Sequence, residues 1–374
     1  MKPSELDAIY RPLAKHLHHD HMACLGIAPT MRLAESYNEC KFAREKAWRD
    51  ELYRTRFDEL LEENGGCSAA PVTMHDGWAL DTSMSLPHLD RVLEDSDRIF
   101  AERAGRQQSE KGAYRSYFQN VFSLEDAETY PSFLDFATSS DIVSVVGHYL
   151  RTIPALSTTL PPGIRLVESN AAFDAEPDRP KDSQLYHIDY YSLPNLYVLV
   201  VMEDTTLEHG PWTFLPRGTS QKVRERLGYW GPGLGYRISD EAVYATVDRS
   251  EVIPFTYPRG TVLFIESSGC LHYGSRNSIK PRFQLMLGYT GACRTDFSEV
   301  FMSNDAYAAP ESSPLLRRMV ADKYLPAPGR PDSVDLERLP QVQAELGAVA
   351  QQVGVELGAA HNGPPAASKP AGVS

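Results

Sequence analysis

Short β-rich segments, separated by turns that contain Gly or Pro, fill the chain from residue 163 to about residue 294. They begin after Pro161-Pro162-Gly163, and no helix-length segment separates most neighbouring strands. A parallel sheet needs such crossover helices, so this spacing disfavours one. Seven or more short strands favour an all-β sandwich or barrel, and a jelly roll is one of the few architectures available. We expect strands at residues 164–173, 184–191, 196–202, 212–215, 252–256, 261–265 and 283–289.

Helical sequence precedes this region. The stretch from Tyr37 to Asn64 is rich in Glu, Lys, Arg, Ala and Leu, contains no proline, and ends at Gly65-Gly66. This pattern predicts helix for most of the first seventy residues. Further helical segments are predicted at 86–103 and 132–151, after a short candidate strand at 72–80.

The expected fold is mainly β with flanking helices, around a double-stranded β-helix core of the jelly-roll, cupin-like type. Residues 332–358 predict an amphipathic helix, and the last residues are rich in Ala, Pro, Gly and Ser, which predicts disorder. We therefore expect an N-terminal helical extension (1–70), a jelly-roll domain (71–300) with a helical insert (about 82–160), a C-terminal helical segment (301–358) and a disordered tail (359–374).

The chain is acidic: its 374 residues include 37 Lys and Arg against 50 Asp and Glu, a formal net charge of −13. Nucleic acids and anionic membranes attract basic surfaces, so this balance disfavours both as partners. The longest apolar run, residues 196–202, is too short to span a bilayer. Five cysteines, an odd number with no C-x-x-C pair, indicate no disulfide framework, and the N-terminus lacks the apolar core of a secretion signal. We expect a cytoplasmic protein.

The segment Gln184-Leu185-Tyr186-His187-Ile188-Asp189 contains the first candidate metal ligands. Alternate residues of a strand point to the same face, so His187 and Asp189 would project together while Ile188 points away. One imidazole and one carboxylate make up two thirds of the facial triad that holds non-haem iron(II).

A third ligand must come from elsewhere in the chain. His272, in the segment Gly269-Cys270-Leu271-His272, follows an apolar strand and lies 85 positions after His187, which leaves room for several strands to wind back. His209 competes with it, but it follows Asp189 by only twenty positions, in a Gly-Pro turn. The expected metal ligands are therefore His187, Asp189 and His272.

Arg282 opens the strand at 283–289, on the face that also includes Gln284 and Met286. A buried guanidinium needs an anion, and its planar fork suits a carboxylate bound through two hydrogen bonds. The distal carboxylate of 2-oxoglutarate would supply that anion, while its keto acid end would take two positions on the iron. Arg276 is a rival, but its polar loop indicates a solvent-facing side chain.

Together these residues resemble the phytanoyl-CoA dioxygenase family of iron(II)- and 2-oxoglutarate-dependent oxygenases. The resemblance rests on His187-x-Asp189, on His272 with Arg282 ten positions later, and on the stretch from Glu208-His209-Gly210-Pro211-Trp212 to Leu215-Pro216. It covers roughly residues 72–295. The chain departs from the family after Pro216, where Arg217-Gly218-Thr219-Ser220 has no histidine.

The resemblance implies Fe(II), 2-oxoglutarate and dioxygen as cofactor and cosubstrates, with release of succinate and carbon dioxide. It implies hydroxylation of a small organic molecule, although desaturation, epoxidation and ring formation use the same centre. Asp189 disfavours a halogenase, since related halogenases lack the carboxylate. Gln184 and Trp212 are further candidates for lining the cosubstrate pocket.

Two other functions are compatible with the sequence. A non-catalytic jelly-roll module would keep the pocket as a binding site, and the complete ligand set with Arg282 speaks against it. A cupin enzyme that does not use 2-oxoglutarate would need an H-x-H…E…H ligand set, and Asp189 stands where its second histidine should be.

Overall fold

The computed structural model describes residues 3–17, 25–106, 117–157, 163–174, 179–233, 235–301, 307, 309–329 and 334–358. The predicted tail at 359–374 lies outside these residues. Among the described residues the helices are α1 (Pro3–His16), α2 (Ile27–Lys41), α3 (Ala43–Glu63), α4 (Leu89–Arg103), α5 (Leu124–Thr129), α6 (Ser132–Ala137), α7 (Ser140–Leu150), α8 (Arg217–Leu227), α9 (Asp240–Tyr244), α10 (Leu315–Ala321) and α11 (Leu339–Val353). The strands are β1 (Trp78–Asp81), β2 (Phe118–Asn120), β3 (Ala155–Leu156), β4 (Ile164–Ser169), β5 (Leu196–Val201), β6 (Thr213–Phe214), β7 (Ile253–Pro254), β8 (Val262–Glu266), β9 (His272–Tyr273) and β10 (Arg282–Thr290).

The strands form two antiparallel sheets. The larger sheet has the order β1-β8-β5-β10-β4-β2, with β3 also paired to β10, and the smaller has the order β7-β6-β9. The chain passes repeatedly between them: β4, β5, β8 and β10 lie in the larger sheet, while β6, β7 and β9 lie in the smaller one. His187, between β4 and β5, joins the smaller sheet through a bridge to His272 of β9. This alternation is that of a jelly roll, so the predicted core is confirmed.

β5 shows why the strands of the larger sheet are apolar throughout. Its residues Leu196, Val198 and Val200 face the helical layer, while Tyr197 and Leu199 face the space between the sheets. Because both faces are covered, all six residues are buried. The other central strands of this sheet contribute to the same two apolar layers.

The helices cover the outer face of the larger sheet and contain more residues than the strands. α3, α4, α6, α7 and α10 pack on that face. α1, α2 and α11 form a separate apolar cluster with Phe297 and Val300, so the first two described helices pack with the last one. None of the described helices is long and apolar enough to cross a membrane.

Several predicted elements differ from the structure. The strand expected at 184–191 is reduced to isolated bridges at Tyr186 and His187. The segment expected to run as helix from 37 to 64 is interrupted at Phe42, whose φ of −120° and ψ of 25° are not helical. The candidate strand at 72–80 is regular only from Trp78, because a tight turn with left-handed backbone at Asp76 and Gly77 precedes it.

Candidate metal and cosubstrate site

His187 and His272 are brought together by direct backbone pairing. Each amide donates to the carbonyl of the other, with N···O distances of 3.0 Å and 2.9 Å. Asp189 follows two positions after His187 and donates its amide to the carbonyl of Ser267, just beyond β8. The two-residue alternation therefore places His187 and Asp189 on one side, as expected, although no continuous ladder forms there.

The three side chains form a cluster that suits one metal ion. Asp189 Oδ2 lies 3.3 Å from His272 Nε2, and Asp189 Oδ1 lies 4.0 Å from His187 Nε2. The potential ligand atoms all lie within 4.8 Å of one another. No other group of three such residues was found among the described residues. Two imidazoles and one carboxylate are the donor set of a non-haem iron(II) centre with open positions.

Both histidine rings are oriented by backbone carbonyls. His187 Nδ1 is 2.8 Å from the carbonyl of Leu185, and His272 Nδ1 is 2.9 Å from that of Cys270. A carbonyl only accepts, so each Nδ1 donates a proton, and the neutral ring keeps a lone pair on Nε2. This is the tautomer that a metal at the cluster requires.

The surroundings also keep Asp189 ionised. Burial alone would raise its pKa, but His272 and His187 in their protonated, metal-free form, and then the charge of Arg165, lower it to about 2. An ionised carboxylate is the form that binds a hard cation.

Arg282 is a buried cation without an acidic partner in the described part of the chain. It is 3% exposed, and burial lowers its pKa to about 10. Its guanidinium donates to the carbonyl of Gly210 and, at 3.4 Å, to Ser275 Oγ, while its Nε has no hydrogen-bond partner among the described residues. A buried charge of this kind is costly unless an anion pairs with it. The arrangement fits the distal carboxylate of 2-oxoglutarate.

Trp212 connects the metal cluster to Arg282. Its indole stacks on the His272 ring, with centroids 4.3 Å apart and planes inclined by 27°. A methyl group added at Gly274 would lie 3.4 Å from both Trp212 Cδ1 and Arg282 Nη2. Trp212 therefore contacts the His272 ring and lies, together with Arg282, next to Gly274.

Gln184, the other candidate for the pocket, has protein partners for its amide. Its Nε2 donates to the Ser275 carbonyl at 2.9 Å and to Asp174 at 3.2 Å, and its Oε1 accepts from the Lys181 amide at 3.0 Å. Gln184 therefore braces the segment whose Ser275 hydroxyl contacts Arg282.

The rival residues are placed elsewhere. His209 lies in a short 3-10 helix, where its Nδ1 accepts from Thr206, and it is not part of the metal cluster. The prediction that Arg276 faces solvent is wrong: its side chain is only 9% exposed. Asp240 pairs with its guanidinium at 2.6 Å, and the guanidinium lies 3.7 Å from the centroid of the Tyr273 ring.

Two inward-facing polar residues were not assigned a role from the sequence. Gln284, two positions after Arg282, is buried, and its Oε1 has no hydrogen-bond partner among the described residues. Arg165 lies on the inner face of β4 and is one of the charges that lower the pKa of Asp189. A polar residue inside an otherwise apolar strand is the pattern that could have revealed both.

No family model and no curated protein matches this chain. Among solved structures, it is similar to the non-heme alpha ketoglutarate dependent epimerase SnoN from nogalamycin biosynthesis, with 13% identity, coverage of 70% of this chain and 95% of that chain, and a TM-score of 0.39. EctD from S. alaskensis with bound Fe has 14% identity, coverage of 58% and 73%, and a TM-score of 0.38. The carbocyclase SnoK from nogalamycin biosynthesis has 13% identity, coverage of 74% and 96%, and a TM-score of 0.36.

Likenesses at this distance assign neither a family nor an activity to this chain. The resemblance to phytanoyl-CoA dioxygenases therefore stays a prediction. The function proposed below rests on the chain's own side chains.

Proposed function

We propose that this protein is an iron(II)- and 2-oxoglutarate-dependent oxygenase that hydroxylates a small organic molecule. The observation that supports it best is the pairing of two features next to Trp212: a two-histidine, one-carboxylate cluster and a buried arginine that no acidic residue in the described part of the chain pairs with. The cluster by itself would suit several metal enzymes. Arg282 narrows the choice, because it provides a carboxylate site close to the metal ligands.

In this proposal His187 Nε2, Asp189 and His272 Nε2 hold the iron on one side. Their backbones are fixed by the pairing of His187 with His272 and by the bond from Asp189 to Ser267. The carbonyls of Leu185 and Cys270 keep both rings in the required tautomer. The ligands are therefore arranged before any metal binds, and such preorganisation favours binding.

2-Oxoglutarate would lie between the iron and Arg282, along the indole of Trp212. Its distal carboxylate would pair with the guanidinium and offer an acceptor to the unpartnered Nε. Trp212 would cover one side of the chain of methylenes and exclude water there, since the indole is 6% exposed. Gly274 leaves the space that a side chain would fill.

Iron bound here supplies the coupling of dioxygen reduction to the oxidative decarboxylation of 2-oxoglutarate. The balanced reaction converts a C–H bond, dioxygen and 2-oxoglutarate into an alcohol, succinate and carbon dioxide. The protein's part is to orient the cosubstrate and present one C–H bond of the substrate. We place the small-molecule substrate in the space between the sheets, beside Asp189.

The test is release of succinate by the purified full chain supplied with Fe(II), 2-oxoglutarate and dioxygen, measured by chromatography. Omission of any one of the three should abolish release. Asp189→Ala should abolish it by removing a metal ligand, and Arg282→Gln should reduce it at low 2-oxoglutarate concentration. His209→Ala is the matched control, because this histidine lies outside the cluster.

The outcomes separate the alternatives. Binding of Fe(II) and 2-oxoglutarate without succinate release would favour the non-catalytic module. Oxygen consumption that needs the metal but is indifferent to 2-oxoglutarate would favour a cupin enzyme of another type. Either result would overturn the proposal.

A further inference from the structure

A second inward-facing arginine lies in the same interior. Arg165 in β4 is directly opposite Met286 of β10, and Met286 is opposite Leu199 of β5. Met286 and Leu199 belong to the apolar cluster between the two sheets. The neighbours of Arg165 along the strand, Ile164 and Leu166, face the helical layer instead. The Arg165 side chain therefore enters the space between the sheets.

Arg165 has no carboxylate within ion-pair distance among the described residues. Its guanidinium makes one hydrogen bond, to the Tyr197 hydroxyl at 3.4 Å, and lies 5.9 Å from the centroid of the Phe118 ring. Two aromatic rings and one long hydrogen bond leave most of its five N–H donors for water or a ligand. A cation at this place disfavours an apolar substrate and favours an anionic one.

Arg165 also lies where the interior is open. Met286 and Leu199, which lie beside Arg165 on the two neighbouring strands, are buried. Arg165, Phe118 and Asp189 are each partly exposed. Arg165 is therefore accessible to a molecule from solvent, as the metal ligand Asp189 is.

The two arginines lie at different positions along the paired strands β4 and β10. Arg282 is opposite Ser169 in β4, and Arg165 precedes Ser169 by four positions, a separation of about 13 Å along the strand. Arg282 is enclosed and suits the cosubstrate, while Arg165 is partly exposed and suits a molecule that enters and leaves.

We propose that Arg165 binds a carboxylate group of the primary substrate, with the rings of Phe118 and Tyr197 flanking the apolar part next to it. The inference rests on the proposed function, since it concerns the substrate of the proposed oxygenase. It assigns to that substrate a class, a small organic acid with an apolar body. Arg165 is then a specificity-determining residue, because it orients the acid relative to the metal.

The experiment measures binding of phenylacetate and of its uncharged analogue phenylacetamide by calorimetry, on the metal-free full chain and on the chain loaded with Fe(II) and 2-oxoglutarate without oxygen. The variants are Arg165→Gln, Arg165→Lys and Arg282→Gln. Arg54→Gln, which removes one exposed charge from α3, is the control. Thermal melting of each variant verifies that it is folded.

We expect phenylacetate to bind more tightly than phenylacetamide. Arg165→Gln should lower the affinity for phenylacetate by about tenfold or more, because a charge-assisted hydrogen bond is lost. Arg165→Lys should retain part of the affinity, and Arg54→Gln all of it. Affinity for 2-oxoglutarate should stay unchanged in Arg165→Gln and fall in Arg282→Gln.

Three results would overturn the inference: equal affinity for the acid and the amide, no saturable binding of the acid, or no effect of Arg165→Gln on it. A fall in 2-oxoglutarate affinity in Arg165→Gln, equal to that in Arg282→Gln, would assign Arg165 to the cosubstrate instead. Failure of the proposed function looks different. Binding of 2-oxoglutarate would then be independent of Fe(II), while the dependence of phenylacetate on Arg165 would persist.

Discussion

The indole of Trp212 stacks on the imidazole of His272, with 4.3 Å between the ring centroids. The same indole and the guanidinium of Arg282 both lie next to Gly274. In the proposed function, Trp212 is therefore shared between the metal cluster and the proposed cosubstrate site. Changes at this one side chain should affect both.

Trp212→Leu should weaken binding of 2-oxoglutarate and, to a smaller degree, of Fe(II). The smaller side chain removes the stack that holds the His272 ring and opens the pocket wall to water. Calorimetric titration of both ligands measures the effect. Trp48→Leu, at a partly buried tryptophan in the helical layer, is the control, and it should lower thermal stability without changing either affinity. Equal losses of affinity in the two variants would contradict a local role.

Arg282→Met should abolish the carboxylate site without unfolding the protein. Loss of the guanidinium should weaken the binding of 2-oxoglutarate by roughly 10- to 150-fold. This corresponds to the range of about 1.5–3 kcal/mol for hydrogen bonds to charged groups. Without ligand the variant should melt no lower than the wild type, because a buried cation with no acidic partner among the described residues is replaced by an apolar chain of similar length. Stabilisation by added 2-oxoglutarate, measured by thermal melting, should disappear. Full retention of that stabilisation would rule out Arg282 as the anion site.

Gly274→Ala should narrow the pocket. The new methyl group would lie 3.4 Å from Trp212 Cδ1 and from Arg282 Nη2, in contact with both. We expect weaker 2-oxoglutarate binding with unchanged Fe(II) affinity, measured by titration. Gly347→Ala on α11 is the control: nothing lies within 4 Å of the added methyl, and the change should stabilise the helix by about 1 kcal/mol. Unaltered cosubstrate affinity in Gly274→Ala would place the ligand elsewhere.

Asp126 should stabilise the region around β2, the strand that contains Phe118, and this stabilisation should depend on pH. Burial raises the pKa of Asp126, but the hydrogen bonds from Arg103 and Ser123 outweigh it and hold that pKa below 3.8. Arg103 also donates to the Val121 carbonyl, just after β2. The contribution of the Asp126 carboxylate to the free energy of unfolding is thus present above pH 3.8 and is lost as the pH falls through the lower folded-state pKa.

Asp126→Asn should accordingly lower the free energy of unfolding by about 1–3 kcal/mol at pH 7. The difference from wild type should shrink below pH 3.8, where both side chains become uncharged. Urea unfolding at several pH values measures it. Glu59→Gln, an exposed carboxylate paired with Arg56, should leave the free energy of unfolding nearly unchanged. A difference that is independent of pH would refute the charge argument.

The metal cluster could be predicted from the sequence because the two-residue alternation holds in any extended segment. His187 and Asp189 share a side even though only bridges form between 184 and 191. The partner His272 could be chosen because it follows an apolar strand and precedes Arg282 by ten positions. The backbone pairing that unites the two histidines has no local sequence signature.

Other features depend on contacts that the sequence does not display. α8 was missed because its only aliphatic residues are Val223 and Leu227, which gives little periodicity, although Gly228 ends it as glycine commonly does. Arg276 was expected in solvent because its loop is polar, and its buried position depends on Asp240, 36 positions away. Arg165 could have been recognised from the sequence, because it is the one charged residue within Ile164–Val167.

The most direct test of the central claim is calorimetric titration of the full chain with 2-oxoglutarate under anaerobic conditions, with Fe(II) and with a chelator in its place. The account predicts one equivalent of tight binding that requires Fe(II), is lost in Asp189→Ala, is weakened in Arg282→Met, and is retained in His209→Ala. Binding of 2-oxoglutarate that is equally tight with the chelator, or that survives Asp189→Ala unchanged, would contradict the account.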